Sequence, residues 1–277
     1  MQTQEITDID YQRFKRFLED ACGILLGDGK QYLIVSRLTR LLRDEKMTSL
    51  SELISAVERG QPHHLRDAVI DAMTTNETSW FRDVQPFETL GQVIFPELEK
   101  VRGTSLRIWS AACSSGQEPY TISMMLSEYC RKVSSSRLAT SQIIATDISS
   151  SMLVQAKKAE YEDVAVGRGL SDQRRQQFFT KQGERWRVID EVKQRVSFRP
   201  QNLLQSFGTL GKFDIIFCRN VLIYFSADRK KDILQRMAQS LNKGGYLFLG
   251  ASETISGYTD AFDLVRTPHS TVYRKKD

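Results

Sequence analysis

From about residue 104 the chain is written in short β-forming runs alternating with helical stretches, and no other feature restricts its fold as much. The runs are SLRIWSAA (105–112), SQIIATDIS (141–149), KFDIIFCRN (212–220) and GGYLFLGAS (244–252). Between them lie a helix from about Pro119 to Arg131, then SSMLVQAKKAEY and SADRKKDILQRMAQSL. Strands separated by whole helices cannot pair as tight hairpins, so this texture predicts a parallel sheet with crossover helices. FDLVR and STVYRK, joined through Pro268, predict an antiparallel hairpin at the sheet edge. The expected fold class is α/β, with a Rossmann-like sheet over residues 91–277.

Two stretches stand outside that rhythm. Residues 1–75 carry helical periodicity: Phe14, Phe17, Leu18, Ala21 and Leu25 recur at steps of three and four. Leu50, Leu53, Ile54 and Val57 repeat it, stopped by Gly60 and Pro62, and Leu65, Ala68, Val69 and Met73 follow. This predicts a small all-helical domain over 1–75 and a linker over 76–90, which opens within TTNETSWFRD. Residues 161–199 contain a helical SDQRRQQFF and two strand-like runs, RWRVI and RVSFRP, and predict an inserted antiparallel β-subdomain.

Composition narrows the function classes. A formal net charge of +5 admits an acidic partner but is thin for a dedicated nucleic-acid binder. Four cysteines without C-x-x-C spacing, with only three histidines, argue against a disulfide framework and a metal site. The polar start MQTQEITDID is no secretory signal, and no run approaches the ~20 apolar residues of a spanning helix. A soluble cytoplasmic protein is expected.

In an open parallel sheet, ligands sit beyond the carboxyl ends of the strands. After the first strand comes AACSSGQEPY, where Ala111, Ala112, Ser114, Ser115 and Gly116 let a ligand approach the backbone. With one glycine and no G-x-G-x-x-G, the loop is not built for a pyrophosphate. Asp147 ends the second strand, where a carboxylate accepts from both ribose hydroxyls; capping the next helix is the alternative. Glu118 at the helix start complements its dipole, or meets a cationic ligand. A nucleoside without phosphates but with a cationic centre describes S-adenosylmethionine.

TTNETSWFRD, WSAACSSGQEPYTISM, ATDIS, QNLL, FDIIFCRNVLIYF and GGYLFLGASE, in that order, resemble the chemotaxis receptor glutamate methyltransferases of the CheR family. The resemblance covers nearly the whole chain. It implies methyl transfer from S-adenosylmethionine, with S-adenosylhomocysteine as product, to glutamates on cytoplasmic helices of transmembrane chemoreceptors. It implies that Asn76, Thr78 and Arg82 close over the cofactor from the linker, and that Glu118 and Asp147 hold it, Asp147 at the ribose. Asn202 and Leu203 would border the adenine, and Arg219 and Asn220 would lie below the cofactor at the end of the fourth strand. Arg82 and Tyr224 match the residues that handle the substrate carboxylate. Plainer readings exist: Arg82 as a surface ion pair, Tyr224 as core, Asn220 as a turn cap, and Cys113 and Cys218 as small buried hydrophobes. A non-catalytic adaptor that binds the same cofactor is the alternative function. A methyltransferase acting on nucleic acid lacks support, because no N/D-P-P-Y-type pocket motif is present.

Residues 30–43 carry four positive charges and no acid. Ile34, Val35, Leu38, Leu41 and Leu42 share one helical side, with Arg37, Arg40 and Arg43 roughly opposite. A solvated face is the default for such a stripe; the resemblance implies that it docks an acidic receptor. Residues 157–199 carry a further +4. In part of the family this subdomain binds a C-terminal receptor pentapeptide, but the FTKQGERWRVID link is short, so a tether-independent enzyme is expected.

Overall fold

The computed structural model describes residues 6–276; Met1–Glu5, half of the polar start, and Asp277 lie outside them. Four helices open the chain: α1 (Asp8–Cys22), α2 (Gln31–Asp44), α3 (Leu50–Arg59) and α4 (His63–Met73). Their boundaries follow local chemistry. Thr7 accepts from the Asp10 N–H and Ser49 from the Glu52 N–H, satisfying amides that helix starts leave orphaned. Gly23 and Gly60 close α1 and α3 in the left-handed conformation. The predicted stripes turn inward: Phe14, Leu18, Ile34, Leu38, Leu53, Ile54, Val69 and Met73 form one core. Leu25 departs from the expectation. Because Gly23 ends the helix, Leu25 lies beyond it, 44% exposed in the loop that leads to α2.

The linker then runs into α5 (Gln85–Thr89), a π-helical turn (Leu90–Ile94) and α6 (Phe95–Arg102). A seven-stranded sheet follows, interleaved with helices. Its strands are β1 (Arg107–Ala111), β2 (Gln142–Asp147), β6 (Val196–Pro200), β7 (Phe213–Cys218), β8 (Leu241–Leu249), β9 (Phe262–Arg266) and β10 (Thr271–Lys275). They are ordered β6-β2-β1-β7-β8-β10-β9. The first five are parallel, and β10 and β9 add the antiparallel edge hairpin. The principal crossover helices are α7 (Gln117–Lys132), α8 (Ser150–Lys158) and α12 (Ala227–Ser240). Central strands are buried on both faces, as their unbroken apolar runs require. Phe217 and Phe248 stack at 4.3 Å on one face, while Trp109 packs on Phe207 and Phe213 on the other. Burying each such ring contributes roughly 1.5–3 kcal/mol. Among the described residues no helix is long and apolar enough to cross a membrane.

The insert differs from its expected extent. A separate three-stranded antiparallel sheet exists, but it consists of β3 (Glu160–Glu162), β5 (Arg185–Val188) and β4 (Phe179–Gln182). Short helices α9 (Asp163–Gly167) and α10 (Asp172–Phe178) lie within it, and α11 (Asp190–Lys193) follows. RVSFRP is no part of it: β6 pairs in parallel with β2, Ile143 opposite Val196 through Asp147 opposite Pro200. The reason is positional. An edge strand is half solvated, so its alternating polar residues, Ser197 and Arg199, resemble an antiparallel excursion, although it closes the main sheet.

Candidate functional site

The α1–α2 loop, the linker and the loops at the carboxyl ends of β1, β2, β6 and β7 enclose a cleft of about 240 Å³. Asn76, Thr78, Arg82, Glu118, Asp147, Asn202, Leu203, Arg219, Asn220 and Tyr224 all line it, so residues far apart in sequence meet there. The helical domain forms one wall. Leu25 N–H donates to the Tyr224 carbonyl at 2.9 Å, and the Asn202 amide donates to the Ala21 carbonyl at 2.8 Å.

The β1 loop is shaped by positive φ at Ala112 (55°), Ser114 (49°) and Gly116 (94°). At Gly116 a side chain is also barred by space, since an added Cβ would lie 3.0 Å from Ala156 Cβ. The loop turns its amides toward Asp147, which accepts from Ser114 N–H at 2.7 Å and Ser149 N–H at 2.9 Å. Ser149, not Asp147, caps α8, accepting from Met152 N–H, so the capping alternative fails. With Ile148 N–H as a third amide on it, the Asp147 carboxylate still keeps acceptor capacity for a ligand hydroxyl. Burial pushes its carboxyl above the ordinary value, against the pull of those amides.

Glu118 accepts from Ser110 Oγ at 2.7 Å and pairs with Arg219 at 3.3 Å. Burial raises its carboxyl, and the Arg219 guanidinium works in the other direction. Its side chain is 13% exposed. A buried acid needs more positive charge, and one Arg219 nitrogen at 3.3 Å leaves room for a cationic ligand.

Arg219 itself is placed less as a ligand contact than the resemblance implies. Its side chain is 1% exposed. Nη2 donates to Asp83 at 2.6 Å and to the Arg82 carbonyl at 3.0 Å, Nη1 is the Glu118 partner, and buried Nε has no partner among the described residues. Those donors are committed to protein, beneath the cleft. Asn202 is also partly spent: its Oδ1 accepts from Leu204 N–H at 2.9 Å, besides the bond to Ala21. Asn76 donates to Thr74 Oγ1, while its carbonyl takes Ser114 Oγ at 2.9 Å. Asn220 sits at φ 58°, just after β7.

Arg82 makes no ion pair among the described residues. One nitrogen donates to the Glu77 carbonyl at 2.9 Å, which leaves the rest of the fork available. Tyr224 is partly buried and its hydroxyl has no partner among the described residues, unlike a core tyrosine. Cys113 and Cys218 are buried, and burial lifts both thiols well above their ordinary range.

The basic stripe on α2 is divided. Arg37 does not belong to a free docking face: its guanidinium donates to the Met73 and Thr74 carbonyls and to Thr75 Oγ1, holding the start of the linker. Arg40 and Arg43 are exposed, Arg40 paired with Asp44 at 3.6 Å.

Two residues with clear roles were not singled out from the sequence. Glu253 accepts four backbone N–H groups, from Gly250, Asn220, Val221 and Leu222, at 2.7–2.9 Å. It thereby fixes the turn between Arg219 and Tyr224. Asp83 holds Arg219 from the linker side. Both lie inside recognised blocks, GGYLFLGASE and TTNETSWFRD, so proximity to those blocks was the one signal available.

Comparison with known proteins agrees with this geometry. Residues 9–74 match the family described as "CheR methyltransferase, all-alpha domain", and residues 76–271 match "CheR methyltransferase, SAM binding domain". The chain is 50% identical over 271 residues to chemotaxis protein methyltransferase Cher2 of Pseudomonas putida, covering 97% of this chain and 98% of that one. It is 52% identical to the chemotaxis protein methyltransferase of Vibrio anguillarum (98% of each chain). It is 51% identical to chemotaxis protein methyltransferase 1 of Pseudomonas aeruginosa (96% of this chain, 98% of that one). The donor set fits the cofactor named by the family, with buried carboxylates at Glu118 and Asp147 beside a loop of small residues. The chain belongs to the CheR family of S-adenosylmethionine-dependent methyltransferases.

Proposed function

We propose that this enzyme esterifies glutamate side chains on the cytoplasmic helices of chemoreceptors, with Arg82 and Tyr224 handling the substrate carboxylate. The observation that carries the reading is the convergence of both residues on the cleft that also holds Glu118 and Asp147. When bound, the cofactor supplies a methyl group activated on a sulfonium. Asp147 holds the ribose hydroxyls, Glu118 balances positive charge, Asn76 and Thr78 close the linker side, and Leu203 supplies an apolar wall. Asn202 and Asn220 border the same space.

A glutamate carboxyl has a pKa near 4.3, so at neutral pH it is already a nucleophile and needs no general base. What the protein must supply is alignment and exclusion of water. A guanidinium fork donates to one carboxylate oxygen and leaves the other free to attack, and the Tyr224 hydroxyl orients the same group. Exposed Arg40 and Arg43 meet the acidic receptor surface; the partner is a protein, not a nucleic acid. The enzyme works in the cytoplasm without a pentapeptide tether, and calorimetric binding of that pentapeptide would overturn this part.

Two measurements test the core. Titration calorimetry with S-adenosylhomocysteine should show binding by the wild type and a loss of at least about tenfold in Asp147→Ala. Labelled-methyl transfer to receptor-bearing membranes should fall about a hundredfold or more in Arg82→Ala, while cofactor affinity changes far less. Equal losses would assign Arg82 to the cofactor.

A further inference from the structure

The linker carries an unusual backbone where Arg82 is aimed, and the buried Arg219 guanidinium reaches up to it and pairs with the exposed Asp83 carboxylate.

 Phe81, Asp83 and Val84 have φ of 48°, 66° and 47°, and none is a glycine. Val84, with ψ −57°, is the centre of a γ-turn that Gln85 N–H closes onto the Asp83 carbonyl at 2.5 Å. That turn is strained, most of all for a β-branched residue. Val84 is 50% exposed, so burial of its side chain does not offset the strain. Strain of this kind persists only where the surroundings hold it.

The surroundings here are specific. Upstream, Trp80 N–H donates to the Arg168 carbonyl, and Arg174 lies 3.9 Å over the Phe81 ring. Downstream, Val84 N–H donates to the Phe81 carbonyl at 2.8 Å and Phe87 N–H to the Val84 carbonyl at 3.0 Å, and the side-chain hold is Arg219, which grips the Asp83 carboxylate at 2.6 Å and the Arg82 carbonyl at 3.0 Å. Arg82 is thus suspended between two anchors. Its carbonyl is bound beneath the cleft, and its side chain lines the cleft.

We infer that Asp83 is a positioning residue. Paired with Arg219, it keeps the Phe81–Val84 turn in the strained geometry that presents the Arg82 guanidinium to the substrate. The inference rests on the reading that Arg82 handles the substrate carboxylate. Without the Asp83 charge the turn relaxes and Arg82 is misplaced, although Glu118 and Asp147 stay where they are.

The test uses the full chain, with labelled-methyl transfer to receptor-bearing membranes and calorimetry with S-adenosylhomocysteine. Asp83→Asn should lower kcat about 10- to 100-fold, with cofactor affinity within about threefold of wild type. Adding Val84→Gly should restore most of the loss, because glycine adopts the turn without strain. An unchanged kcat in D83N, a parallel loss of cofactor binding, or no recovery in the double variant would each overturn the assignment. Should D83N not fold, Val84→Gly alone decides: relief of strain should raise its melting temperature, and a lower one counts against the inference. Absence of methyl transfer by the wild type would instead sink the reading of Arg82, which the melting comparison does not depend on.

Discussion

Glu118 illustrates how a single residue's surroundings set its chemistry. It is held by one hydroxyl and one guanidinium nitrogen, and burial raises its carboxyl above the ordinary 4.5. Only the ionised form attracts a cationic ligand. As pH falls, protonation therefore begins earlier than at an exposed glutamate, and Asp147, raised from 3.8, moves the same way. Cofactor affinity measured by calorimetry should decline as pH is lowered into the acid range, and Glu118→Gln should be weak with a shallower decline, the part that Asp147 contributes. A flat wild-type profile would contradict this. Folding of the free protein carries the opposite sign. Between the unfolded and the raised folded values the native state binds more protons, so these two groups lower stability as pH rises through that window. Glu118 and Asp147 stand out in the sequence by their charge and their place at the strand ends, whereas Tyr224, inside an apolar run, is marked only by the family resemblance. Asp83 and Glu253 do not stand out, because an acid that braces an arginine or gathers backbone amides looks in sequence like any surface acid.

At the scale of elements, the sheet was readable wherever a strand is buried on both faces. Strands β1, β2, β7 and β8 announce themselves as apolar runs. Strand β6 does not, since its half-solvated edge position permits Arg199 and Ser197 in a run that reads as polar excursion. The insert accordingly ends at β5 and not at β6. What joins the insert to the linker is equally invisible in sequence: Gly169, at φ 92°, passes so close that an added Cβ would lie 2.0 Å from the Trp80 carbonyl oxygen. Trp80 in turn packs edge-on against Tyr161 and Phe179. Gly169→Ala should cost about 2 kcal/mol or more by denaturant titration, since both conformation and space are refused. A change under about 0.5 kcal/mol would show that the linker does not depend on this contact.

Across the whole molecule, charge is distributed unevenly despite a modest total. The helical domain's exposed cations include Arg40 and Arg43, while Arg37 is consumed in bracing the linker. Long-range attraction between exposed charges is screened at high ionic strength. Reversing both exposed charges (R40E with R43E) should therefore slow receptor methylation several-fold at low salt, with the gap closing above about 0.5 M. A deficit independent of salt would mean that the pair acts otherwise than by docking.

Bonds that cross between the domains, Leu25 to Tyr224, Asn202 to Ala21 and Ser151 to Asp71 among them, bear on how such proteins can be recombined. The helical portion is not an adaptor that can be exchanged at will to retarget a catalytic sheet. Its Cys22–Gly27 stretch is part of the cleft wall, and its backbone holds the loop that bears the tyrosine. A chimera joined at the linker inherits part of its cleft wall from each parent. Grafts that keep the α1–α2 loop with the sheet it evolved against should be the ones that remain active.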